Sequence, residues 1–149
     1  MSKRMIFLES AFNKLFTRTF PAQFPDWFRT IIANWAWVII IGVIVVQPPI
    51  DVGYWDDMHA SRLSPDLFSY VALLVTASVM ALQISAIPFL MKRRRAGWIL
   101  LYISAFLVLL YGIVRLFSTE ESSGPLFGMT FLSLIFLYVL FQVRSHFKG

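Results

Sequence analysis

From Leu67 to Met91 no residue carries a charge, and the next run, Ala96 to Phe117, carries only Arg115 near its end. Between the two stand Lys92, Arg93, Arg94 and Arg95. A helix of about 20 apolar residues crosses the roughly 30 Å of hydrocarbon in a bilayer, and each run is long enough. Adjacent cations do not enter hydrocarbon, because each costs several kcal/mol at the bilayer centre. The basic run therefore lies in water at a membrane surface and joins two crossings.

Composition agrees with that constraint. The chain is 58% hydrophobic and 14% charged, against roughly 45–50% and about 25% in soluble domains. A single soluble core in 149 residues could not cover so much apolar surface. There is no cysteine, hence no disulfide framework, thiolate site, Cys nucleophile or lipidated Cys. The N-terminus is not read as a secretory signal: Lys3 and Arg4 are followed by a stretch broken by Glu9, Asn13, Lys14 and Arg18.

Taken in order, residues 1–25 read as an amphipathic N-terminal segment. Met5, Leu8, Phe12, Leu15 and Phe16 recur at helical spacing, with cations on other faces. This is the pattern of an interfacial helix, the alternative being a helix docked on the membrane domain or on a partner. Pro21 and Pro25 end it. Residues 26–149 then form one membrane domain. Asp26 offers an N-cap, and a first span of about 27–47 carries Trp27, Trp35 and Trp37 and is expected to stop at Gln47-Pro48-Pro49. Residues 50–64 read as a polar loop. Ser64-Pro65-Asp66 opens a second span of about 65–91, with Pro88 as a candidate kink. A third span of about 96–117 and a fourth of about 125–143 follow, separated by a loop holding Glu120 and Glu121. The expected fold is an all-α membrane protein of four transmembrane helices.

Charge sets the expected orientation. The N-terminal region, the basic run and the tail hold Lys3, Arg4, Lys14, Arg18, Arg29, Lys92 to Arg95, Arg144 and Lys148, against Glu9 and Asp26. The other side holds Asp51, Asp56, Asp57, Asp66, Glu120 and Glu121, against Arg62 and Arg115. Short positive loops stay in the cytoplasm, so both termini are expected inside the cytoplasmic membrane of a bacterium. The net charge of +5 is then explained by anionic lipid headgroups beside Lys92, Arg93, Arg94 and Arg95, without nucleic acid.

Sliding the second span onto the fourth brings Ser64 onto Ser123, Leu67 onto Leu126, Phe68 onto Phe127, Leu73 onto Leu132 and Gln83 onto Gln142. The match is compatible with two parallel two-helix hairpin repeats. The first and third spans align less well, around Ala36-Trp37 and Gly97-Trp98.

Few residues suggest chemistry. Asp56, Asp57 and His59 form the one acid–His cluster, and they are weak metal candidates because a zinc site usually takes three or four protein ligands. A solvated loop is the simpler reading, and no cofactor is expected. Gln83 and Gln142 sit toward the inner ends of their spans, where an interhelical hydrogen bond is favoured over a ligand contact. Ala77, Ala81 and Ser85 recur every four residues and suggest the packing contact of the bundle, with a homodimer contact as the alternative. No phosphate-cradling glycine loop, HExxH or GxSxG is present, and no Ser–His–Asp set can be assembled.

The basic turn, Gly97-Trp98-Ile99-Leu100-Leu101-Tyr102, the short polar loop and the closing Leu140-Phe141-Gln142-Val143-Arg144-Ser145 resemble small uncharacterised bacterial four-span integral membrane proteins. The resemblance covers about the second half of the chain and implies no activity and no functional residue. The expectation is a non-catalytic accessory, assembly or structural subunit that packs with partner membrane proteins or with its own copies. A small oligomeric transporter or channel is the alternative, and a pigment- or quinone-binding subunit a weaker one.

Overall fold

The computed structural model describes residues 14, 16, 23–60, 67–118 and 124–147. They form four helices and no strand: α1 (Asp26–Ala60), α2 (Leu67–Met91), α3 (Arg95–Ser118) and α4 (Gly124–Val143), closed by a 3₁₀ turn at Arg144–His146. Each helix packs on the next, and α1 also touches α4 and the 3₁₀ turn, so the four close into a bundle. Three helices are long and apolar enough to cross a membrane, over Asp26–Val45, Leu73–Met91 and Arg95–Val114. The fourth contributes a shorter apolar stretch, Thr130–His146. The chain is thus an all-helical membrane protein.

Hydrophobic residues alone do not say which face is inward, because lipid tails are as apolar as leucine. The burial pattern does. On α3, Trp98, Leu101, Tyr102, Ala105 and Leu109 are buried, a single stripe at helical spacing. On α4 the stripe is Ser133, Leu137, Leu140 and Phe141, and on α2 it is Val79, Gln83, Ala86 and Leu90. α3 packs between α2 and α4 and is the most enclosed helix. On α1, Ala33 and Ile40 are buried and Ile32, Ala36, Trp37 and Ile44 pack against the core, while Trp27, Ile31, Trp35 and Ile39 turn outward in steps of four.

Two expectations are corrected. Ala77, Ala81 and Ser85 are exposed and do not form the packing contact of the bundle. They lie across the helix from Val79, Gln83, Ala86 and Leu90, and that larger set fills the interior. The helix of the first span also does not stop at Gln47: it continues through Pro48 and Pro49 to Ala60. Proline removes one N–H and crowds the preceding turn, yet its fixed φ is a helical one, so a pair of prolines costs ladder bonds without forbidding the helix. Asp56, Asp57 and His59 therefore stand on helical backbone, not in a loop. The expected amphipathic helix of residues 1–25 lies outside the described residues save for Lys14, Phe16 and 23–25, as do Ser64-Pro65-Asp66, Glu120, Glu121 and Lys148.

The turn between α2 and α3 is short and specific. The Arg94 amide donates to Phe89 O at 2.8 Å, and the Arg93 amide to Leu90 O at 2.9 Å. These two reverse bonds form a Schellman cap on α2. The cap needs a left-handed residue, and Arg93 fills it with φ of 49°. Glycine is the usual occupant, since a β-carbon there costs about 1 kcal/mol. Three residues into the next helix, Gly97 lies against α2, where a β-carbon would stand 2.9 Å from the Leu90 nitrogen. Gly112 plays a like part between α3 and α4, its missing β-carbon position being 2.5 Å from Thr130 Oγ1. Small residues at such points let membrane helices approach closely.

Candidate functional site

The densest chemistry lies at the end of the bundle marked by the basic turn, and Trp98 is its centre. Trp98 is fully buried. Its ring stacks on Tyr102 at 5.5 Å with an interplanar angle of 7° and meets Phe141 edge-on at 5.5 Å. Arg144 places its guanidinium carbon 5.6 Å from the Trp98 ring centroid, a cation–π contact. The indole N–H donates to Leu140 O at 2.8 Å. That carbonyl lies in the last turn of α4, so a side chain of α3 adds a second donor there and ties the two helices together. Phe16 reaches the same cluster from the N-terminal segment: it is buried, 5.8 Å from the Tyr138 ring and 5.6 Å from Phe141. At this position the N-terminal segment docks on the bundle.

A second group of contacts ties α1 to this end. Arg93 donates from its guanidinium to Asn34 Oδ1. Thr30 Oγ1 donates to Asp26 O at 2.8 Å and lies 3.3 Å from His146 Nε2. Since the hydroxyl proton is already used, His146 donates from Nε2, and its Nδ1 faces Ser145 Oγ at 3.4 Å. Arg29 pairs with Asp26 one turn before. Lys92, Arg93 and Arg94 are exposed, and Arg95, Arg29 and Arg144 are half-buried. Asp26 is the one carboxylate among the described residues at this end. The arrangement is a positively charged platform around a buried aromatic plug.

Sequence reasoning singled out Lys92 to Arg95 here. Thr30, Asn34 and His146 carry no spacing in the sequence that marks them for this site. No signal in the sequence pairs Asn34 with Arg93, because the contact joins two separate helix ends. Trp98 was visible as an aromatic at a helix start, but its bond to Leu140 O depends on how α3 and α4 cross.

A third set of polar residues is inside the bundle. Gln83 and Gln142 are both buried, 7% and 8% exposed, on the packed faces of α2 and α4. They do not occupy matching places in their helices: α4 ends one residue past Gln142, whereas α2 continues about two turns beyond Gln83. Gln83 Oε1 has no hydrogen-bond partner among the described residues, so the expected interhelical bond is not made at that oxygen. Ser104, on α3, bonds back to Leu101 O at 2.9 Å. Among the described residues no three His, Cys, Asp or Glu side chains gather as a metal-ligand set.

No protein family, curated protein or solved structure matches the chain.

Proposed function

We propose that this protein is a four-span subunit of a bacterial cytoplasmic membrane, non-catalytic, with both termini on the cytoplasmic side. It acts as a structural, assembly or accessory component beside a partner membrane protein or further copies of itself. The observation that carries this reading is the one-sided α1. It packs on the bundle along one face and leaves Trp27, Ile31, Trp35, Ile39 and Val43 on its outer face, while α3 is much more enclosed. The platform of Lys92 to Arg95 favours the cytoplasmic surface by the positive-inside rule and suits anionic headgroups. The hairpin repeat fits α2 and α4 running in the same direction.

Purification in mild detergent tests the reading. A stoichiometric membrane partner or a defined homo-oligomer is expected, and a monodisperse monomer with no partner would overturn it. Reporter fusions after Arg95 and after Gly149 should both read cytoplasmic, and an outside signal at either would overturn the orientation.

A small oligomeric transporter or channel is the second reading. It is favoured by one observation, the unpartnered Oε1 of the buried Gln83. Robust solute flux by the pure protein in liposomes would replace the accessory reading with this one.

A further inference from the structure

The basic turn must lie at the membrane surface, and two polar contacts carry that level across to α1. Arg93 bonds Asn34, and His146, just past the end of α4, lies 3.3 Å from Thr30. The level of the turn on α1 is therefore set by Thr30 and Asn34, not by Asp26. At about 1.5 Å per residue, Asp26 stands roughly 12 Å below Asn34 along the axis. Composition alone selects Asp26–Val45 as the crossing. A crossing that starts near Asn34 needs about 20 residues and ends near Tyr54. α1 has the length for it, because the helix continues to Ala60.

The tryptophans support the later start. Trp27 and Trp35 are 65% and 58% exposed on the outer face of α1. With the crossing begun at Asp26, the Trp35 indole N–H would be about 13 Å into hydrocarbon, and it has no acceptor among the described residues. With the crossing begun at Asn34, both rings sit in the headgroup layer, where an apolar ring with a polar edge is stable.

We infer that the first two turns of α1, Asp26–Asn34, form a headgroup-level ledge that binds anionic phospholipid, and that the hydrocarbon crossing of α1 runs from about Asn34 to about Tyr54. The ligand is the lipid phosphate. It is met by Arg29 on the ledge, by Lys92, Arg93, Arg94 and Arg95 on the turn, and by Arg144 after α4, with Asp26 the one opposing carboxylate among the described residues. Guanidinium groups match phosphate oxygens in pairs, and the charge balance selects an anionic over a zwitterionic headgroup. Gln47-Pro48-Pro49 then falls inside the outer leaflet. The carbonyls of Ile44 and Val45, whose helical donors would be the proline nitrogens, draw donors from water or another helix. This inference rests on the membrane reading above.

The absence of cysteine makes the test direct. Single variants Ile31→Cys, Ile39→Cys, Val43→Cys and Ile50→Cys are placed in vesicles and treated with a membrane-impermeant maleimide from each side. The ledge requires labelling at 31 from the basic side and protection at 39, 43 and 50. Protection at 31 with labelling at 50 would restore the crossing Asp26–Val45 and overturn the inference while leaving the membrane reading intact. Labelling at 39 and 43 would overturn both. For the ligand, the melting temperature is compared in phosphatidylcholine nanodiscs with and without one-third phosphatidylglycerol. A rise of several degrees with the anionic lipid is expected, reduced in Arg29→Gln and in Arg144→Gln. Equal melting temperatures in the two lipids, or an equal rise from inorganic phosphate in phosphatidylcholine alone, would overturn the lipid assignment.

Discussion

Replacing Trp98 with phenylalanine separates the ring from its hydrogen bond. The indole N–H donates to Leu140 O at 2.8 Å, and the ring is wholly buried between Tyr102 and Phe141. α4 runs to Val143, so the Arg144 amide is that carbonyl's helical donor and the indole is a second one. Phenylalanine keeps an aromatic face and removes the donor. Losing one of its two hydrogen bonds costs about 0.5–1.5 kcal/mol. The smaller ring leaves a gap worth about 1 kcal/mol, and the weaker cation–π contact with Arg144 costs about 0.5–1 kcal/mol. The expected loss is therefore about 2–3.5 kcal/mol, above the roughly 0.6 kcal/mol typical of a hydrogen bond between membrane helices alone. The difference arises because the same substitution also opens a gap and weakens the contact with Arg144. Unfolding in mixed micelles titrated with dodecyl sulfate, followed by circular dichroism, reads this directly. Trp98→Ala serves as the upper bound. If Trp98→Phe stays within about 0.5 kcal/mol of the parent, the margin of ordinary surface changes, the assigned role of Trp98 fails.

Three further substitutions test the other close contacts. Gly112→Ala should destabilise by about 1–3 kcal/mol, because its β-carbon would meet Thr130 Oγ1. In a Thr130→Ala background the nearest group is a carbon at 3.5 Å, so the added cost of the alanine should largely vanish in a double-mutant cycle; additive losses would refute the contact. Arg93→Gly and Arg93→Ala both lose the bond to Asn34, but only glycine relieves the left-handed backbone, so the glycine variant should be the more stable by about 1 kcal/mol. Equal stability of the two would mean that Arg93 is not held in that conformation. Gln83→Leu should match or exceed the parent in stability, since it removes a buried oxygen that has no partner among the described residues. A loss above about 1 kcal/mol would show that the oxygen is satisfied in the membrane.

The helices themselves were legible because crossing a bilayer sets their length, and because Lys92 to Arg95 cannot lie anywhere but at a surface. Their packed faces were not. Along α2, Ala77, Ala81 and Ser85 carry the spacing of a close helix contact, yet Val79, Gln83, Ala86 and Leu90 fill the interior. In an aqueous protein the polar face would have betrayed the outside. In a membrane both faces are apolar, and the contrast on which periodicity depends is lost. The end of α1 was misread for a different reason. Two prolines are a strong stop signal, yet their fixed φ is a helical one, and here the helix runs through them to Ala60.

The polar contacts and the apolar packing in this bundle divide its two ends. At the basic end, Trp98 ties α3 to α4, Arg93 holds Asn34, His146 meets Thr30 and Phe16 fills the gap between Tyr138 and Phe141. Further along α1, the β-carbon position of Gly42 has nothing within 4 Å, and Val43 and Val45 face outward. α1 is thus fastened by polar contacts at its start, and beyond them packs through Ala36, Trp37, Ile40 and Ile44 with its opposite face open. Fastening by hydrogen bonds to arginine and histidine fixes the level of a helix in the membrane, while one-sided packing leaves its far face for lipid or another protein. α3, by contrast, is enclosed on both sides, with Trp98, Leu101, Tyr102, Ala105 and Leu109 buried. The partner surface of this protein is therefore to be sought on the outer half of α1, and cross-linking from Val43→Cys should capture it where cross-linking from the α3 stripe does not.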